Sequence, residues 1–267
     1  MAAQGPLCMG IDPHARLLTD WGLADTDQGL ETFSLRSLEA AAAEGVAAIK
    51  PQVALYERHG SSGFAVLERL LQDAREAEVL SIADAKRGDI GSTMAGYADA
   101  WLGEGSPLAA DAVTLSPYLG YESLRPAIDL AVQTGRGVFV LALTSNLEGA
   151  SVQHVGGRDA SVARGISHAA AQDNATAGGP LGPVGLVVGA TVAEQADRLG
   201  LELPRMRGAL LAPGYGAQGS TAEGMKAGFG EAWPQVLATS SRAILQGGPG
   251  VAGLRDRIRR NLAELTG

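Results

Sequence analysis

Short apolar runs rich in Val, Ile, Leu and Ala return eight times along the 267 residues of this chain: LCMGID (7–12), GVAAIK (45–50), VLSIAD (79–84), DAVTLS (111–116), GVFVLALT (137–144), PVGLVVGA (183–190), GALLAP (208–213) and RAILQG (242–247). Each reads as a buried strand. Between them lie Ala-rich amphipathic segments such as GFAVLERLLQDAREAE, whose Val66, Leu67, Leu70 and Leu71 recur at helical spacing. Strand then helix, repeated in this way, is the pattern of a (β/α)8 TIM barrel. A doubly wound open sheet is the alternative, because periodicity does not show whether a sheet closes. No linker cuts the chain, so residues 1–267 read as a single α/β barrel domain. The Gly- and Pro-rich pieces NATAGGPLGP and APGYGAQGSTAEGMKAGFG read as loops within it. The first precedes a strand and belongs to the stabilising face of a barrel; the second follows a strand and belongs to the catalytic face.

A composition of 46% apolar residues supports a full core, and a net charge of −8 with no basic run argues against nucleic acid as a partner. An anionic small molecule stays possible, since a few converging Lys and Arg side chains bind phosphate on an acidic protein. No window reaches a membrane span and the N-terminus lacks the basic head of a signal peptide, so the expectation is a cytoplasmic protein. Cys8 is the single cysteine and reads as a small buried residue on the first strand. The four histidines show no metal-ligand spacing, and no metal site is expected.

Nearly every expected strand carries a chemically capable group at its carboxyl end: Asp12, Lys50, Asp84, Ser145, and Pro213 with Gly214; Arg242 instead begins the last run. A barrel gathers such ends into one mouth. In the stretch SIADAKRGDIGST (81–93), Asp84 and Lys86 are two apart and would face the same side of an extended strand end, with Asp89 beyond in a turn loosened by Gly88. A row of Lys50, Asp84, Lys86 and Asp89 would hold each charge between opposite partners and keep all four ionised. The plainer reading is a solvated ion-pair loop. Lys50 tilts the balance, because a lysine after GVAAI and before Pro51 is awkward in an ordinary core. APGYGAQGST has the look of a backbone cradle for an anion, with Gly214, Gly216 and Gly219 freeing N–H groups and Gln218 adding a donor. Arg242 follows it, and loops after strands 7 and 8 are the usual phosphate site of this barrel.

DAKRGDIGST resembles the DxKxxDI(P/G)xT signature of the orotidine 5'-phosphate decarboxylase family, with Gly91 as in its longer bacterial branch. GIDPH, IKPQ, LTSN, APGYGAQG and SSRAIL extend the resemblance along the first, second, fifth, seventh and eighth strands. The resemblance implies a decarboxylase that uses no metal or organic cofactor and makes uridine 5'-phosphate, the last step of de novo pyrimidine synthesis. It implies that Asp12 and Lys50 hold the ribose hydroxyls, that Lys50 also pairs Asp84, and that Asp84 sits against the scissile carboxylate, acting by repulsion or by positioning Lys86. Lys86 would deliver the proton, Ser145 would bind the pyrimidine, Gln218 with Arg242 would bind the phosphate, and Pro213 would contact the substrate. It further implies a homodimer in which Asp89 and Thr93, both on a loop leading outward, complete the partner's site. Tyr215 has no role assigned by the resemblance.

DxKxxD also occurs in related barrels that bind magnesium and sugar phosphates, but these carry an acidic residue where this chain has Lys50, a cation that repels a metal. A noncatalytic nucleotide-binding barrel would need neither Asp84 nor Lys86.

Overall fold

The structure, a computed structural model, describes residues 4–216 and 219–267. Eight parallel strands run in the order β2-β1-β8-β7-β6-β5-β4-β3. They are β1 (Leu7–Ile11), β2 (Ala48–Pro51), β3 (Ile82–Arg87), β4 (Ala112–Leu115), β5 (Gly137–Leu143), β6 (Val184–Val188), β7 (Leu210–Pro213) and β8 (Val236–Ser240). Bridges Ile49↔Ser81 and Gln52↔Asp84 join β2 to β3, the two ends of that order, and so draw the sheet into a barrel. Each strand is followed by an outer helix: α1 (Asp27–Glu44), α2 (Gly60–Glu76), α3 (Gly91–Leu102), α4 (Arg125–Thr134), α5 (Val162–Ala175), α6 (Ala193–Arg198), α7 (Ala222–Phe229) and α8 (Val251–Thr266). This is the (β/α)8 architecture.

Local chemistry sets the helix ends. Thr26, Ser161 and Thr221 cap α1, α5 and α7 by accepting a backbone N–H from the residue three positions on. Gly45 and Gly135 close α1 and α4 in the left-handed conformation. On α2, Val66, Leu67, Leu70 and Leu71 are all buried against the barrel, as their spacing predicts.

Alternation along each strand separates two apolar layers. Leu7, Met9 and Ile49 pack outward against the helices, while Cys8, Ile82, Phe139, Val187, Leu211 and Leu237 belong to a second cluster that fills the barrel. Phe139 occupies that space only because residue 185 is glycine; a Cβ there would lie 2.5 Å from the Phe139 ring. Burial pushes the Cys8 thiol up to about 12, against a smaller opposing pull from Lys50, so it stays protonated and unreactive at neutral pH.

Two expectations need correction. The eighth strand is not RAILQG but the preceding segment VLATS, which pairs with both neighbours through Leu7↔Ala238 and Leu210↔Val236. Arg242–Leu245 is a short helix just past its carboxyl end. The Gly-rich stretch after β7 is also not all loop, because its second half forms α7 behind the Thr221 cap. Among the described residues no helix is long and apolar enough to cross a membrane.

Candidate active site

The alternation that fills the barrel also builds its mouth. Two residues beyond the inward-facing Ala48, Ile82 and Leu237 come Lys50, Asp84 and Thr239, and two beyond Leu211 comes Pro213. Each therefore points to the same inner side at the carboxyl end. These four line a cavity of about 400 Å³ together with Asp12, Lys86, Ser145 and Arg242, over an apolar patch from Leu141 and Val187. A polar rim on an apolar floor suits a flat, polar-edged ring.

Asp84 sits at the centre. Its Oδ2 accepts from Lys50 Nζ at 2.7 Å, and its Oδ1 accepts from Lys86 Nζ at 2.5 Å and from the Thr114 hydroxyl at 2.9 Å. Burial alone would raise the Asp84 carboxyl, but Lys50, then Lys86, and the bonds they donate outweigh it and hold it well below the usual carboxylate range. Burial likewise works against the Lys50 ammonium, and the carboxylates of Asp84 and Asp12 overcome it, leaving Lys50 more firmly protonated than an ordinary lysine. The two ammonium groups differ in access. Lys50 is 5% exposed and locked in place, whereas Lys86 is 45% exposed and faces the cavity.

Simple strand alternation does not bring Lys86 to Asp84. The β3–β4 register runs from Ala83↔Val113 to Arg87↔Leu115, so four steps on β3 face two on β4, and Lys86 lies inside this irregularity with φ of 49°. A non-glycine residue there is held at a cost of about 1 kcal/mol by its surroundings. Arg87 anchors the far side of the bend. Its guanidinium pairs with Glu57 and lies over the rings of Tyr97 and Trp101 at 5.7 and 5.8 Å.

Around the rim, Asp12 Oδ1 is buried with no hydrogen-bond partner among the described residues, an arrangement that favours arrival of a donor such as a hydroxyl. Arg242 is exposed and has no ion-pair partner among the described residues. Its short helix is pinned by the Trp21 indole, which donates to Leu245 O at 2.9 Å and packs on Phe33. Placed after β8 rather than at the start of a strand, Arg242 is on the mouth side of the barrel. Gln218 lies outside the described residues. Tyr215 is buried beside the cavity, and its hydroxyl donates to Glu264 on α8 at 2.6 Å.

The orotidine 5'-phosphate decarboxylase / HUMPS family model matches residues 5–256. The chain belongs to this family. Curated orotidine 5'-phosphate decarboxylases from Streptomyces coelicolor and Salinispora arenicola are 51% and 52% identical to it, each over 99% of this chain and 94% and 93% of theirs. A crystal structure from Streptomyces avermitilis, 50% identical, matches with a TM-score of 0.93 over 100% of this chain and 92% of that one. The structure of Leishmania donovani OMP decarboxylase, 28% identical, matches at 0.77 over 99% and 94%.

Two of the residues expected from the decarboxylase signature stand apart from the cavity within one chain. Asp89 is half-buried, accepts from the Ile90 N–H at 2.8 Å, and makes no ion pair with Lys86. Thr93 is exposed and lies in the first turn of α3, not on a loop as its position past Gly91 predicts. The charge row is therefore a triad of Lys50, Asp84 and Lys86 in the isolated chain. Two residues that no motif singles out also shape the site: Thr114, and Gln153, which grips Thr144 next to Ser145 by accepting from its N–H at 2.9 Å and donating to its hydroxyl at 2.7 Å. The signal for Thr114 is a hydroxyl two residues beyond the inward-facing Ala112, within the strand segment of DAVTLS.

Proposed function

We propose that this chain decarboxylates orotidine 5'-phosphate to uridine 5'-phosphate and carbon dioxide without a metal or organic cofactor. The observation that carries this reading is Asp84 clasped between a buried ammonium, Lys50, and an accessible one, Lys86, facing a cavity whose rim bears Arg242. The substrate carboxylate enters beside Lys86. The bond from ring carbon to carboxylate breaks, carbon dioxide leaves, and the electron pair stays on the ring carbon. The fixed Lys86 ammonium stabilises that charge and then transfers its proton to the carbon, after which solvent reprotonates the amine. Asp84 aims Lys86 by the 2.5 Å bond. Lys50 keeps Asp84 ionised and, with Asp12, receives the ribose hydroxyls; Ser145 meets the pyrimidine; Pro213 and Arg242 border the base and phosphate sites. Two lysines at the heart of the donor set repel a divalent cation rather than ligate it.

Asp89 and Thr93 fit the same reading when a second copy is present. Beside them Ile90, and on the loop after neighbouring β4 Tyr118 and Leu119, are 62%, 79% and 54% exposed. A two-fold pairing through this apolar face covers it and carries Asp89 and Thr93 toward the partner's mouth.

The direct test is loss of orotidine 5'-phosphate absorbance with purified protein in excess chelator. Turnover that persists supports the reading; folded protein with no turnover overturns it. Arg242→Ala is expected to lower kcat/KM for the phosphorylated substrate by about 100-fold, while phosphate-free orotidine changes less than about threefold. Equal losses on both substrates would mean damage to the barrel instead of a lost phosphate contact. Tyr215→Phe removes the tie between the Gly-rich segment and Glu264. Its expected effect is a rise in KM of about 3- to 10-fold, the value of one hydrogen bond, with kcat nearly unchanged.

A further inference from the structure

Thr114 is buried at the carboxyl end of β4 and touches both halves of the charge group. Its hydroxyl donates to Asp84 Oδ1 at 2.9 Å and accepts from the Lys86 backbone N–H at 2.9 Å. One proton and two lone pairs allow both bonds at once. Asp84 Oδ1 is also the atom that receives Lys86 Nζ, so the three residues close a ring: Thr114 hydroxyl, Asp84 carboxylate, Lys86 ammonium, and back through the Lys86 main chain.

The ring sits where the β3–β4 ladder lapses. Below it the Ser81 N–H and hydroxyl both donate to Asp111 Oδ2, and above it Ser116 N–H donates to Arg87 O. Between these two clamps the Thr114 side chain takes the Lys86 N–H, in place of a β4 carbonyl. Lys86 is the residue with φ of 49°, a conformation that the surroundings must enforce. Without the hydroxyl, the part-buried Lys86 N–H loses its acceptor, and Asp84 loses its one uncharged side-chain donor among the described residues.

We propose that Thr114 is a positioning residue for the reaction: it locks the Lys86 backbone in its left-handed turn and the Asp84 carboxylate in one orientation, so that the ammonium stays aimed into the mouth. This rests on the assignment of Lys86 as proton donor given above. Reacting groups displaced by about 1 Å lose on the order of 100-fold in rate, so a residue that touches no substrate still governs turnover.

The test compares Thr114→Val, which keeps shape and removes the hydroxyl, with Thr114→Ser, which keeps the hydroxyl. Measured are kcat and KM for orotidine 5'-phosphate and the Kd of uridine 5'-phosphate, whose binding needs no proton transfer. For Thr114→Val the expected result is kcat lower by about 10- to 100-fold with KM and Kd within about threefold of the parent. For Thr114→Ser, kcat is expected within about threefold of the parent. A Thr114→Val chain that keeps its kcat, or that loses nucleotide affinity as much as kcat, overturns the proposal. If the valine variant does not fold, Thr114→Ala against Thr114→Ser carries the comparison: a slow alanine and a fast serine support it, and equal rates overturn it. Failure of the underlying assignment shows separately, in a parent chain without turnover or a Lys86→Ala chain that keeps it.

Discussion

Lys86→Ala is expected to lower kcat by about 10⁴-fold or more, because it removes both the cation that meets the developing carbanion and the proton that quenches it. The fold should survive. The lysine side chain is 45% exposed, so its loss leaves no core cavity, and Asp84 keeps Lys50 at 2.7 Å and Thr114 at 2.9 Å. Uridine 5'-phosphate affinity is therefore expected within about tenfold of the parent, measured alongside single-turnover decarboxylation. A variant that retains near-parental kcat would assign the proton to another group and reduce Lys86 to a charge partner of Asp84.

If the proposed two-fold pairing holds, Asp89→Ala is expected to inactivate the enzyme although Asp89 does not line the cavity of its own chain, and mixing it with Lys86→Ala should restore activity. In a mixed dimer one mouth combines an intact Lys86 with an intact Asp89 from the other chain, and the opposite mouth carries both lesions. Random exchange makes about half of the dimers mixed, each with one sound site, so recovery approaches about a quarter of the parent value. The readout is specific activity against mixing ratio, with exchange followed independently by mass. If Asp89 served its own chain, every mixed site would keep one lesion and nothing would return. Within one chain Asp89 accepts from the Ile90 N–H and makes no ion pair with Lys86, which pairs with Asp84.

The sequence by itself determined a great deal here. Seven of the eight expected strand segments overlap β1 to β7, because apolar runs separated by amphipathic helices leave few packings other than a barrel. Asp12, Lys50, Asp84, Ser145, Pro213 and Arg242 share one cavity for the same reason: in a barrel, carboxyl ends of strands far apart in the chain meet at one face.

Where the sequence ran out, the missing information was non-local. VLATS and RAIL are both short apolar runs, and local pattern does not separate a buried strand from a short helix. The choice was made by β1 and β7, which offer ladder partners to Val236–Ser240 alone and leave Arg242 at the mouth instead of the floor. Period-two alternation put Asp84 and Lys86 on one side, yet what brings them together is a lapse in the β3–β4 ladder and a left-handed residue. Both depend on Thr114, Arg87 and Ser116 supplying partners that replace the ladder. Tyr215 had no assigned role until α8 brought Glu264 across 49 residues of chain to its hydroxyl. Alternation and composition fix which residues face inward; which inward residues touch is fixed only when strands and helices distant in sequence compete for the same hydrogen bonds.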